Sequence, residues 1–291
     1  MRIAAFTYQG QPHVGSVSDD LTSVTPWDLP LALREQGALP IVQSLVQGQS
    51  LPTALPSLPL NQVQLCAPLP RPRRNIFCVG KNYYAHAKEF ASSGFDSSAK
   101  AGGDIPAVPI IFTKVPESVI APGVAIEIPS AVSTAIDYEA ELAVIIGQGG
   151  KGIRAADAMQ HVWGYTIVND VTARDWQNRH LQWHMGKSFD TFCPMGPWLV
   201  SADVCNGADT RLRCYVNGEE RQNASTRDLI FDIPTLIETI SAGITLYPGD
   251  VIATGTPVGV GIGFKPPRYL QPGDTVRIEI DGIGTLENPV I

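Results

Sequence analysis

In the run TAIDYEAELAVIIG, residues 134–147, every second position from Tyr138 to Ile146 is apolar: Tyr138, Ala140, Leu142, Val144 and Ile146. Such alternation is the mark of a β-strand, whose side chains point to opposite faces in turn. The other face opens with Asp137, Glu139 and Glu141 and then turns apolar at Ala143 and Ile145. The second half of the strand is therefore core, while the first half carries like charges with neighbours roughly 7 Å apart. Two readings fit the acids. They form the solvated face of an edge strand, or they belong to a cation site, and spacing alone does not separate the two.

An acid from a second strand changes the balance. GYTIVND reads as a strand ending in Asp170. Glu139, Glu141 and Asp170 would make a hard, oxygen-rich site suited to Mg²⁺, Mn²⁺ or Ca²⁺, in which a cation turns repulsion into attraction.

The rest of the chain favours strands and turns. Gly (27) and Pro (24) are plentiful among 291 residues, which disfavours long helices. MRIAAFTY and HVGSVSD flank QGQP as a β-hairpin, and WDLPLALREQG and LPIVQSLVQG read as short helices. Prolines recur from Leu51 to Arg74 as in a linker, placing a boundary near residue 70. The expected division is a small N-terminal α+β domain over 1–70 and a larger domain over 71–291. The net charge of −7 and the lack of a long basic run argue against nucleic acid as a partner. No apolar run reaches the roughly 18 residues of a membrane span. The N-terminus lacks the apolar core of a signal peptide. Five scattered cysteines without a CxxC pair read as free thiols in a reducing cytoplasm.

Four further segments carry chemistry. In NYYAHAKEF, Asn82 is placed to cap a helix on which His86 and Glu89 share a face at i, i+3. A carboxylate beside a histidine orients the ring and raises its basicity, although a surface ion pair has the same spacing. The stretch that follows, residues 91–109, is rich in Ala, Ser and Gly and reads as a functional or mobile loop. VTARDWQNRHLQWH reads as a helix opened by Thr172 with Asp175 three residues on. Its His180 and His184, lacking an intervening Glu, read as an incidental pair. In MGKSFDTFCPMGP, Leu181 stands where a phosphate loop needs glycine, so Lys187 is left to hold an anionic oxygen or a structural salt bridge. ATGTPVGVGIG brings Thr256 and four glycines, which suit close backbone approach to a ligand or a tight turn.

Taken in order, NYYAHAKE, DYEAELAVIIG, VNDVTARDWQ with GKSFDTFCPMGPW, and GDVIATGTPVGVG resemble the fumarylacetoacetate hydrolase family over Arg74 to Ile291. The resemblance implies a β-rich α+β fold, a mixed β-sandwich roll with few short helices, and a homodimer. It implies metal ligands at Glu139, Glu141 and Asp170 with Mg²⁺ as the usual ion, and leaves Asp137 outside the ligand set. It also implies a His86–Glu89 dyad, an active-site Lys187, and substrate contacts from Gln177 and Thr256. The activity so implied is hydrolysis of a C–C bond in a small anionic 2,4-dioxo acid such as an acylpyruvate, as in aromatic-acid breakdown. A decarboxylase or isomerase using the same enolate chemistry is the alternative. A non-catalytic metal-binding scaffold has no physical need for all of these groups together.

Overall fold

The computed structural model of the chain describes residues 1–92 and 105–291. It opens with β1 (Arg2–Tyr8), β2 (Gln11–Val17) and β3 (Ser23–Pro26), followed by α1 (Leu31–Arg34) and α2 (Leu39–Val46). Next come β4 (Leu58–Pro59), β5 (Gln64–Leu65), β6 (Ile76–Gly80), α3 (Tyr84–Ala91), β7 (Ile110–Lys114) and β8 (Val119–Ile120). The middle of the chain holds β9 (Ile136–Asp137), β10 (Ala140–Ile146), β11 (Val162–Asn169), β12 (Thr172–Ala173), α4 (Arg174–Arg179), α5 (His184–Lys187) and β13 (Cys193–Ser201). The last third adds β14 (Arg211–Val216), β15 (Glu219–Ser225), α6 (Ile233–Ser241), β16 (Val251–Ala253), β17 (Thr275–Ile280) and β18 (Gly284–Pro289).

The first hairpin forms where expected. Tyr8 pairs with Gln11, so Gln9 and Gly10 alone make the turn. Both have positive φ, 51° and 74°, the left-handed pair whose twist matches that of the flanking strands.

Twelve strands join one mixed sheet along the path β4-β3-β2-β1-β13-β11-β10-β16-β6-β7, with β5 on β1 and β8 on β13. A second, antiparallel sheet runs β15-β14-β17-β18. Strand β10 lies inside the large sheet, buried along its whole length. Its even-numbered face, Leu142, Val144 and Ile146, packs in one core with Leu212, Ile278 and Leu286 of the second sheet. Its odd-numbered face, Ala143 and Ile145, packs in another core with Ile41 and Val42 of α2 and with Met195 and Leu199. The alternation seen in the sequence is thus a strand between two cores, each large side chain contributing about 1.5–3 kcal/mol by burial. The result is a sheet-rich α+β sandwich with few short helices. Pairing of β1 with β13 continues the large sheet across the boundary placed near residue 70. No helix among the described residues is long and apolar enough to cross a membrane.

Three local expectations need correction. The acidic run is not one strand: β9 pairs with β12, β10 with β11 and β16, and the chain breaks at Tyr138 and Glu139. There Asp137 Oδ1 and Asn169 Oδ1 take the amides of Tyr138 (2.9 Å) and Glu139 (3.0 Å) in place of ladder bonds. Asn82 does not cap α3. Its buried amide donates to the carbonyls of Thr254 (2.8 Å) and Phe231 (3.0 Å) and accepts from Phe231 N (2.8 Å), tying the helix entry to distant loops. Thr172 does not open a helix: α4 begins at Arg174, and the Thr172 hydroxyl donates to the Asp170 carbonyl at 2.8 Å. For Asn82 tertiary partners outcompete the local cap, whereas Thr172 and Asp137 spend their side chains on backbone groups one or two residues away.

Candidate functional site

The β10–β11 register builds the acidic centre. Ala140 pairs with Asn169 and Glu141 with Val168, so the start of β10 lies beside the end of β11. Asp170 N donates to the Glu139 carbonyl at 2.9 Å, which holds the next residue of β11 against the strand break. Glu139, Glu141 and Asp170 are all buried, with carboxylate oxygens within 4.8 Å of one another. The solvated-edge reading fails on that burial.

Three buried cations lie against these acids. Lys187 Nζ donates to Glu139 Oε2 and Asp170 Oδ2, each at 2.8 Å. Lys114 Nζ donates to Asp170 Oδ1 at 2.7 Å, to the Val171 carbonyl at 3.1 Å, and to the Lys187 carbonyl. Arg174 reaches Glu139 Oε1 through Nη1 at 2.7 Å and Asp137 Oδ2 through Nε at 2.8 Å. Asp137 also accepts from the amides of Gly261 (2.7 Å) and Ile262 (3.0 Å). It is fully buried, so it is no rim residue but the anchor of Arg174 and of the turn at 261–262.

Among the described residues, the three cations bonded to this group hold Asp137, Glu139 and Asp170, and the mismatch within the group falls on Glu141. It accepts the amide of Gly255 at 2.9 Å where the other three hold an ammonium or guanidinium. Burial, then Asp170 and Glu139, push its pKa well above the ordinary range. Burial also pushes Glu139 up, but Lys187 and Arg174 outweigh it and hold that carboxyl at about 2. Burial pulls Lys187 down, yet Asp170 and Glu139 keep it above the usual lysine value, as an ammonium. A surplus buried carboxylate in an all-oxygen donor set is what a divalent cation satisfies, so these residues fit a metal.

A small pocket opens on this centre, lined among others by His86, Glu139, Glu141, Gln177, Lys187 and Thr256. His86 Nδ1 lies 3.1 Å from Glu89 Oε2 across one turn of α3. Glu89 in turn accepts the Gly259 amide at 3.1 and 3.3 Å. Gln177 Oε1 accepts from Arg174 Nη1 at 3.1 Å, and Thr256 Oγ1 accepts from Gln222 Nε2 at 2.7 Å. Structure therefore gathers all eight residues singled out from the sequence, with Asp170 and Glu89 just behind the pocket wall. Residues 93–104 of the stretch expected to be a functional loop lie outside the described residues.

Sequence reasoning missed Lys114 and Arg174. Lys114 ends an otherwise apolar strand, and Arg174 sits inside a quoted segment, but neither spacing says that the side chain turns inward. His180 and His184 do not converge: His180 stacks on Trp176, and His184 Nδ1 lies beside the Thr113 carbonyl at 3.0 Å. All five cysteines are free, four of them buried.

The charge mismatch has a measurable sign. A folded pKa above the unfolded value adds stability that is fully present below the unfolded value and is lost as pH rises through the folded one. The cation-free protein is therefore expected to lose stability through Glu141 as the pH is raised above the ordinary Glu range. At pH 7.5, saturating divalent cation should raise Tm by about 5–10 °C, corresponding to roughly 2.7 kcal/mol at a hundredfold excess over Kd. Glu141→Gln should raise the cation-free Tm and shrink the cation's effect. Scanning fluorimetry with EDTA, Mg²⁺, Mn²⁺ and Ca²⁺ checks this, and a Tm indifferent to all three ions would sink the metal assignment.

Comparison with known proteins supports the fold and places the chain in a family. The family model described as "Fumarylacetoacetate (FAA) hydrolase C-terminal" matches residues 75–291. The chain is 50% identical over 232 residues to the oxaloacetate tautomerase YisK of Bacillus subtilis, covering 79% of this chain and 74% of that protein. Among solved structures it is similar to the fumarylacetoacetate hydrolase EaFAH of Exiguobacterium antarcticum, with a TM-score of 0.82 and 40% identity over 100% of this chain and 99% of that one. It is also similar to the 2-hydroxyhepta-2,4-diene-1,7-dioate isomerase of Mycobacterium marinum, with a TM-score of 0.79 and 35% identity over 100% and 98% of the two chains. These likenesses overturn the expectation of an acylpyruvate C–C hydrolase. The half-identical relative is named for a tautomerisation and the Mycobacterium protein for an isomerisation, while the Exiguobacterium name is that of the family. The residues that prompted the hydrolase reading suit tautomerisation and decarboxylation through an enolate equally well, so they did not discriminate.

Proposed function

This chain belongs to the fumarylacetoacetate hydrolase family, and from that premise we propose that it is a tautomerase of small 2-oxo dicarboxylic acids, with oxaloacetate as the substrate. One observation carries the reading: His86, Lys187 and two of the clustered carboxylates line the same small pocket. Tautomerisation needs a base that reaches a carbon-bound proton and a fixed positive charge beside the developing enolate oxygen; it needs no attacking water.

Each group then has a task. Glu89 holds His86 through Nδ1, leaving Nε2 to take the C3 proton and return it to the oxygen on C2. Lys187, kept cationic by Glu139 and Asp170, faces the negative charge that develops between those two transfers. Gln177 and Thr256 orient the substrate: Gln177 through its amide nitrogen, and Thr256 through the hydroxyl proton left free when its oxygen accepts from Gln222. Glu139, Glu141 and Asp170 would hold Mg²⁺ as the first choice, or Mn²⁺ or Ca²⁺. When bound, the ion supplies Lewis-acid polarisation of the 2-oxo group.

A second reading, isomerisation of a longer enol dicarboxylate, draws on the Mycobacterium marinum likeness. The test gives the purified protein with Mg²⁺ enol-oxaloacetate, keto-oxaloacetate and acetylpyruvate in parallel. Faster enol–keto interconversion than in buffer, with pyruvate not accumulating, supports the tautomerase. Accumulation of pyruvate from oxaloacetate would make it a decarboxylase, and no acceleration of any of these would overturn the proposal.

A further inference from the structure

The glycine-rich run after β16 is not uniform in what it requires of glycine. At Gly255 and Gly259 φ is +106°, a backbone that L side chains rarely adopt. A methyl on Gly259 would also overlap the Arg221 carbonyl oxygen, and one on Gly261 the Arg268 carbonyl oxygen. Those three positions are demanded by the backbone. Gly263 is different. Its φ lies outside the left-handed region, and what a methyl there would overlap is the carboxyl group of Glu89, with Cγ at 2.7 Å.

The missing side chain at Gly263 therefore leaves a seat for the Glu89 carboxylate, which accepts the Gly259 amide at 3.1 and 3.3 Å and faces His86 Nδ1 at 3.1 Å. The seat is anchored from beneath. Asp137 accepts the amides of Gly261 and Ile262, and Arg174 ties Asp137 to Glu139. One chain of contacts thus runs from the acidic centre through Arg174, Asp137 and the glycine turn to the His86–Glu89 pair.

We propose that Gly263 is a positioning residue for the proton-transfer pair: its lack of a side chain admits Glu89 to the turn, and so docks α3 with His86 facing the pocket. This rests on the reading of His86 as the proton-transfer group. Because the overlapped atoms are the far end of a flexible side chain, Gly263→Ala should fold and instead displace Glu89.

Two readouts in a double-mutant cycle test this. In Gly263→Ala, kcat is expected to fall roughly ten- to a hundredfold, the cost of a misplaced catalytic group, with KM within about threefold. Amide hydrogen exchange in residues 84–91 should quicken at the same time. In a Glu89→Ala background the same change should alter neither quantity, and that double variant also serves if Gly263→Ala alone does not fold. Unchanged exchange in α3, or equal losses in both backgrounds, overturns the seat. A His86→Gln enzyme with undiminished turnover overturns the catalytic reading alone, since exchange in α3 still decides whether Glu89 is seated.

Discussion

A Lys187→Met enzyme is expected to turn over oxaloacetate about 10²–10³ times more slowly, the usual cost of losing one charge aimed at a developing oxyanion. The same variant should bind a divalent cation more tightly than the parent. Lys187 Nζ stands 2.8 Å from both Glu139 and Asp170, so its removal leaves the acidic centre more negative. Methionine keeps the length of the buried stem, whose ammonium lies 5.0 Å from the centre of the Phe112 ring, so the pocket wall should survive. Glu139→Gln should behave in the opposite way, losing cation affinity along with turnover. Calorimetric titration with Mg²⁺ beside a tautomerase assay separates the two. If Lys187→Met kept turnover within twofold of the parent, the lysine would be structural and its role in the reaction would have to go.

The largest effect on stability is expected at Arg174. It is fully buried and holds Asp137 and Glu139, both buried themselves. Removing one partner of such a cluster leaves uncompensated buried charge, at a cost of about 3–5 kcal/mol. For a chain of this size that is a fall in Tm of roughly 6–20 °C for Arg174→Met. Asp137→Asn in the same chain should recover part of the loss, because the surplus charge goes while one oxygen remains for the Gly261 amide, at the cost of the acceptor for Ile262. Thermal unfolding of the two single variants and the double variant gives the coupling directly. Strict additivity would mean that the contact carries no stability of its own.

How far the site could be read from the chain depended on the kind of signal each residue leaves. Glu139, Glu141 and Asp170 are acids at or beside strand ends, where apolar alternation makes a charge conspicuous. His86 and Glu89 share a helical face at a spacing that one turn of helix guarantees. Lys114 leaves no such mark: a lysine closing an apolar strand looks like an ordinary solvated end, yet its ammonium reaches Asp170 across a separation of 56 residues. Asn82 misled for a related reason. It has the right type and place for a helix cap, and its amide is instead engaged by loops 149 and 172 residues away.

The alternation from Ala140 to Ile146 determined by itself that this segment is a strand with two distinct faces, because a side-chain period of two follows from backbone geometry alone. The turn at Gln9 and Gly10 and the shortness of the helices were equally local matters. Only the tertiary structure decided that the acids at the head of that strand are buried, that Lys187, Lys114 and Arg174 are the cations that meet them, and that Glu141 is left with an amide. Net charge compensation in a buried cluster is a property of every element packed around it, and no single segment carries that sum.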